Sequence, residues 1–420
     1  MKQSTRIQLM MMMFLQFFMW GAWYGQMSKY LLSPEVKATG DQVGNAYTAF
    51  SIANIVAPFF IGLIADRYFA AQKLMGVLNL LGAAILFFLT QIKDGGTFFW
   101  YILAYCLCFA PTLALSTAIA MRQMRSPEKE FPAIRVLGTI SWIVVTNIVG
   151  WMNVGDKVTI FQISMVTSLI LGLFCFFLPD TPPKAKGQSA TFGQIIGADA
   201  FVLFKDRSFL IFFLSSVLIC IPLSFYYAMA NPSLTDSGMT NVENKMSLGQ
   251  ASEVIFMLLL PLAYSKFGVK KMLIIGLIAW IVRFFCFGYG DAHSTEWMLY
   301  LGIVLHGICY DFFFVTGQIY TDNKAGDKIK ASAQGLITLA TYGVGMGIGS
   351  KLSGIVLDMY KTGVDASGKA IYNWTNVWLV PAGIAIVVLI LFALLFSDKG
   401  SSYRNSSGRT GSVTMAEARR

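Results

Sequence analysis

The chain has 420 residues, 56% of them hydrophobic and only 13% charged, with 34 Phe and 21 Met. A soluble protein carries about 25% charged residues, so this composition excludes one. Repeated apolar runs indicate a polytopic α-helical membrane protein instead. The net charge of +10 is no sign of nucleic-acid binding, because Lys and Arg collect in the cytoplasmic loops of membrane proteins.

Twelve apolar spans are predicted, at roughly 7–31, 43–65, 74–92, 98–121, 132–154, 158–178, 209–231, 248–267, 270–290, 297–320, 330–357 and 374–396. The first lacks a small-residue cleavage site behind it and reads as a retained span. The polar interval 179–207, with Pro182, Pro183, Lys184, Lys186, Lys205 and Arg207, divides the chain into two six-helix halves, 1–178 and 208–396. The tail 397–420 is rich in Ser, Gly and Arg and reads as disordered. With both termini cytoplasmic, the inner segments hold 22 Lys and Arg and the outer loops six, which fixes the expected orientation. All six cysteines fall in apolar segments, where no disulfide framework or metal-ligand spacing is recognisable.

Taken in order, the spans carry few polar groups. Span 1 has Gln16, Trp20 and Tyr24 on one stripe, read chiefly as packing. Span 5 has Arg135, Thr139 and Trp142 on one face: a fork of donors, a hydroxyl and a flat ring. Arg135 can serve a ligand, a cytoplasmic gate or a lipid headgroup. In span 7, Ser224 and Tyr227 follow the kink expected at Pro222. Span 8 has Gln250 and Glu253 three residues apart, on one helix face. Gln offers donor and acceptor together, and Glu can change charge, a combination suited to a neutral hydroxylated solute coupled to a proton. Arg283 in span 9, flanked by Ile281, Val282 and Phe284, reads as structural or close to the outer interface.

Span 10 contains LHGICYDFF, Leu305–Phe313, with His306, Tyr310 and Asp311 far from either end. A carboxylate at that depth costs about 2.5–3.5 kcal/mol on insertion scales, so it faces a protein-lined interior and has a role. That role is either a structural pairing or a proton or substrate site. His306 is read equally as a proton carrier and as a helix contact. Only Glu253 and Asp311, of 22 acidic residues, lie deep within spans, and both are expected to face a wet central chamber.

The loop Gly62–Met75, GLIADRYFAAQKLM, is similar to the G-x-x-x-D-R loop of the Major Facilitator Superfamily through Gly62, Asp66 and Arg67. Gly allows close helix approach and the Asp-Arg pair can bridge neighbouring helices, a conformational latch. The pieces Leu15–Trp23, Phe131–Trp142, Asp199–Lys205, the Gln250/Glu253 pair, Tyr310–Phe313 and Ile329–Gly335 resemble the bacterial nucleoside:proton symporters of that superfamily, from about Gln8 to Phe396. The resemblance implies proton-driven nucleoside uptake across the bacterial inner membrane by alternating access around a midplane site. It implies binding positions at Arg135, Thr139, Trp142, Gln250, Glu253, Tyr310 and Asp311. Ser224, Tyr227 and His306 depart from that pattern, where Gln, Asn and Tyr stand.

The expectation is a symporter with Asp311 or Glu253 carrying the proton, Asp311 slightly favoured, and with nucleoside, protons and the lipid bilayer as partners. No cofactor, metal, nucleic acid or second copy is expected. A sugar or glycoside porter is the alternative within transport. A membrane-embedded enzyme or receptor is the remote one, since two histidines and no Cys/His cluster offer little catalytic material.

Overall fold

Without water, a buried main chain must satisfy its own N–H and C=O groups, and the apolar runs do so as helices. The computed structural model describes residues 2–60, 68–183 and 198–397. Gly62, Asp66 and Arg67 lie outside them, as do most of the central loop and the tail from 398. Helix α1 (Gln3–Trp23) is followed after a short turn by α2 (Met27–Leu31), so the stretch expected as one span is interrupted. Then come α3 (Gly40–Phe60), α4 (Ala71–Leu89), α5 (Gly95–Arg122), α6 (Pro127–Trp151) and α7 (Thr159–Phe174).

After short 3-10 turns at Cys175–Phe177 and Ala198–Lys205, α8 runs over Arg207–Asp236, capped by the Asp206 carboxylate, which accepts from the N–H groups of Ser208 and Phe209. Helix α9 (Val242–Tyr289) breaks at Gly268, whose φ of 69° needs a residue without Cβ. Helices α10 (Glu296–Val304) and α11 (His306–Tyr310) lead into a π-helical turn at Asp311–Val315, then α12 (Thr316–Thr338), broken at Gly326. A second π-helical turn at Leu339–Gly345 leads into α13 (Met346–Met359). The breaks at Gly268 and Gly326 fall in the expected gaps between spans. A small antiparallel hairpin, Lys361–Val364 with Ala370–Tyr372, precedes α14 (Trp374–Leu395) and was not foreseen. Among the described residues, eight helices are long and apolar enough to cross a membrane.

Early and late helices meet across a cavity. Helix α3 lies backbone to backbone on α13: a Cβ on Gly44 would meet the Ser350 carbonyl at 2.5 Å, and one on Gly354 the Gly40 carbonyl at 2.3 Å. The Asp358 carboxylate accepts from the N–H groups of Gly40 and Asp41, each at 2.7 Å, and Lys351 bonds Asp41 and Asn45. At the same end Lys29 donates to Glu243 at 2.7 Å, and Asn244 donates to Asn147 at 2.8 Å. The opposite end differs. There the bonds stay local: Gln72 to Asp180, Gln123 to Thr181, Lys324 to Asp206, and Lys270 to the Phe396 carbonyl. One end of the cavity is therefore tied shut between early and late helices. At the other, these bonds stay within the early helices or within the late ones.

Candidate functional site

The cavity measures about 310 Å³ and is walled by α1, α3, α5, α6, α8, α9, α11 and the second π turn. From α6, the 3.6-residue period brings Arg135, Thr139 and Trp142 to its wall together. The Arg135 guanidinium lies over the Phe17 ring, 4.1 Å from its centroid, and Gly138 leaves room for both. Among the described residues no carboxylate pairs with Arg135, so its fork of donors is unspent. Opposite, α9 supplies Gln250 and Glu253 from adjacent turns. Neither the Gln250 amide nor the Thr139 hydroxyl is bonded to another described group, which leaves donors and acceptors facing the space.

Aromatic rings form the rest of the wall. Trp20 meets Trp142 edge-on with centroids 5.2 Å apart, and Phe50 and Tyr24 pack around it at 5.3 and 5.6 Å. Tyr24 in turn packs on Tyr227 across the early and late helices at 5.2 Å. The Tyr310 hydroxyl is 2.6 Å from that of Tyr342. Flat rings beside a few free polar groups suit a planar heterocycle carrying a polar moiety.

At the floor, the His306 Nδ1 is 2.9 Å from the Nη1 of Arg283, and its Nε2 is 3.8 Å from the Glu253 carboxylate. Arg283 is fully buried and its Nε donates to the Gly302 carbonyl at 2.7 Å. Its guanidinium stacks 3.6 Å from the Tyr226 ring centroid. Arg283, read as structural or close to the outer interface, does not line the cavity itself, and its contact with His306 links it to the cavity floor. The apolar neighbours in sequence describe the residues beside it on the helix, not the helix it faces.

Eight of the expected residues line the cavity: Arg135, Thr139, Trp142, Tyr227, Gln250, Glu253, His306 and Tyr310. Ser224 does not. Its hydroxyl is buried between α8 and α13, bonded to the Cys220 and Met346 carbonyls at 3.0 Å each. Nor does Asp311, whose residue is fully buried and whose two carboxylate oxygens have no hydrogen-bond partner among the described residues. The chain widens to a π turn from Asp311 onward, and that turn packs against α9, so Tyr310 takes the cavity face and Asp311 is turned behind it. Of the two acids expected at a central chamber, Glu253 lines the cavity and Asp311 does not in this conformation. Gln16 is also withdrawn, donating to Thr112 at 2.7 Å. Phe17, Phe50 and Tyr342 line the wall without having been singled out. Tyr342 lies in a Gly-rich stretch with no polar periodicity to mark it.

Comparison with known proteins agrees with this architecture. The nucleoside H+ symporter family matches residues 1–401. YegT of Escherichia coli (strain K12) is 38% identical over 404 residues, covering 94% of each chain. Xanthosine permease of the same organism is 31% identical over 404 residues, covering 93% of this chain and 95% of that one. The crystal structure of the nucleoside transporter NupG superposes with a TM-score of 0.84 at 30% identity, covering 94% of this chain and all of the other. NupG is a Major Facilitator Superfamily transporter. A crystal structure of the POT family transporter PepTSo, 14% identical with a TM-score of 0.69, shares the fold. With that match over nearly its whole length, the chain belongs to the nucleoside H+ symporter family, a multi-pass membrane transporter and not an enzyme.

Proposed function

We propose that the cavity between α6 and α9 holds the nucleoside and that Glu253 and Asp311 couple its movement to a proton. Ribose hydroxyls bond Gln250, Glu253 and Thr139. Arg135 contributes its fork of donors from the facing side, and the base stacks on Trp142 or Tyr310. What supports this is the pairing of unspent donors and acceptors with aromatic walls around about 310 Å³, within the ~300–1,000 Å³ typical of small-molecule sites.

The proton's part follows from charge. Asp311 sits in a dry place with no donor to its oxygens, and such a place tolerates it only as a neutral acid. Glu253 lies at the cavity wall between Asp311 and the nucleoside, where solvent delivers or collects the proton. Loading a proton neutralises the carboxylate, so the carrier reorients with its solute and proton aboard; with the proton gradient inward, the solute moves inward.

Twelve spans in two six-helix halves fit the chain. Eight helices have spanning length and apolarity; one of these, α9, has two arms, and α1, α3 and the run from Gly326 through Met359 supply three more. The halves rock about the cavity. Both termini are cytoplasmic, which puts the tied end outside and makes this conformation the inward-facing one. The carrier works as a monomer in the inner membrane, and the Gly62, Asp66, Arg67 loop acts as its inner latch.

Uptake of radiolabelled nucleosides in a transport-deficient host tests the assignment. Accumulation that collapses with an uncoupler is the expected result, with competition by other ribosides and not by free sugars. Competition by free sugars alone moves the substrate to the sugar class. Uptake indifferent to the gradient removes the symport.

A further inference from the structure

The buried Arg283 decides which nitrogen of the histidine at the cavity floor carries the proton. Arg carries only donors and stays charged in proteins. Its Nη1 lies 2.9 Å from the Nδ1 of His306, so Nδ1 is the acceptor and carries no proton. A neutral imidazole then holds its one proton on Nε2, the nitrogen that faces Glu253 at 3.8 Å. Protonating Nδ1 as well would set an imidazolium against a guanidinium, two donors with no acceptor between them.

Arg283 has little freedom to move aside. Its Nε is bonded to the Gly302 carbonyl at 2.7 Å, and its plane is stacked on Tyr226. Trp280 and Phe287 are each 5.4 Å away. The other titratable groups around His306 are Glu253 on the first arm of α9, Tyr226 on α8 with ring centroids at 5.2 Å, and Tyr310 on its own helix at 5.9 Å. The Glu253 carboxylate is 3.8 Å from Nε2, longer than a hydrogen bond, so the Nε2 proton is not spent on it and is open to an acceptor of the substrate.

We propose that Arg283 is a positioning residue that fixes His306 as the neutral tautomer protonated on Nε2, so that the ring offers one N–H to Glu253 or to an acceptor atom of the substrate. His306 is then a selector for solutes bearing an acceptor at that point, and the transported proton resides elsewhere. This deepens the transport reading, on which its uptake arm rests; the spectroscopic arm stands without it.

The chain has two histidines, His293 and His306, and His293 is in the exposed loop after α9. Labelling the full-length His293→Gln protein with ¹⁵N-histidine therefore gives the spectrum of one ring. The expected spectrum at pH 7 is that of a neutral imidazole protonated on Nε2, and it persists down to pH 5. An imidazolium, or a proton on Nδ1, overturns the proposal, and this holds whether or not any Arg283 variant folds. In Arg283→Gln the amide can accept from Nδ1 as well as donate to it, so the tautomer protonated on Nδ1 appears beside the other; a spectrum unchanged from the parent also overturns the proposal.

Uptake supplies the second readout. Arg283→Gln raises the nucleoside KM by about tenfold, the worth of one charge-oriented hydrogen bond. His306→Gln places an amide donor near the Nε2 position without needing the arginine, so adding Arg283→Gln to it costs no more than about twofold. Equal losses in both backgrounds show an arginine acting on packing alone, and contradict the assignment. If the parent protein takes up no nucleoside at all, the substrate reading fails while the spectrum still decides the tautomer.

Discussion

Lys29 and Glu243, 214 residues apart in the chain, meet as an ion pair at 2.7 Å where the early and late helices close over the cavity. Glu243 is 4% exposed and also accepts from Asn231 at 3.3 Å. The groove between this pair and the cavity is lined by Trp142, Tyr227 and Gln250, which also line the cavity. The pair therefore stands on the line from the tied end to the proposed binding site.

Charge reversal at either residue should open that end. Breaking a largely buried pair from one side costs about 3–5 kcal/mol, enough to depopulate the closed state. Lys29→Glu and Glu243→Lys should each lower uptake at least tenfold and raise thiol labelling of a cysteine placed at Asn147. The double reversal should recover much of both. Labelling that stays at the parent level in the single variants would remove this pair as a gate.

Affinity should separate the cavity residues from their neighbours. Arg135→Lys keeps the charge and loses the fork, and Gln250→Ala removes both amide functions; each should raise the nucleoside KM about tenfold. Ser224→Ala should change KM by less than about twofold, because that hydroxyl is bonded to two carbonyls and does not reach the cavity. Parallel KM measurements on the three variants decide it, and a large Ser224 effect would contradict the site as drawn.

Asp311→Asn should part binding from coupling. The amide is neutral and nearly the same shape, so the dry site accepts it, and nucleoside affinity measured by calorimetry should stay within about threefold of the parent. Accumulation against a gradient should fall to the level of equilibration. Full accumulation in this variant would assign the proton to Glu253 alone.

The pH dependence of stability is legible outside the membrane at Asp206. Its hydrogen bond from Lys324 at 2.6 Å, aided by the N–H groups of Phe209 and Ser208, holds its carboxyl below the ordinary 3.8. A carboxylate with a depressed folded-state value contributes stability above its unfolded value and loses it as pH falls through the folded one. The pair is partly exposed, so it should be worth only about 0.5 kcal/mol. Asp206→Asn should keep the helix cap and lose that increment at neutral pH, whereas Asp206→Ala should lose about 1 kcal/mol more for the cap. Thermal unfolding of the parent and Asn proteins should converge once pH falls through the depressed folded-state value of the carboxyl. Curves that stay apart there would show that the carboxylate is not responsible.

Much of the site was readable because helices impose a fixed period. Arg135, Thr139 and Trp142 at steps of four and three, and Gln250 with Glu253, had to share faces. Apolar length alone marked the helices, since a bilayer permits few alternatives. What stayed hidden depends on contacts between distant segments. Nothing near Arg283 announces His306 as its partner, and nothing near Asp311 announces the π turn that rotates it behind Tyr310. Ser224 looked like a ligand group because hydroxyls that bond backbone carbonyls and those that face a cavity are the same letter. The expected first span ran over the turn between α1 and α2, although Gly25, Gln26, Ser28 and Lys29 interrupt the apolar run there.

The most direct measurement is nucleoside uptake by Glu253→Gln in vesicles, run once with an imposed inward proton gradient and once as counterflow without one. The variant should exchange labelled for unlabelled nucleoside at a rate near that of the parent, yet fail to concentrate it when the gradient is applied. Concentration equal to that of the parent would contradict a carboxyl-borne proton at the cavity wall.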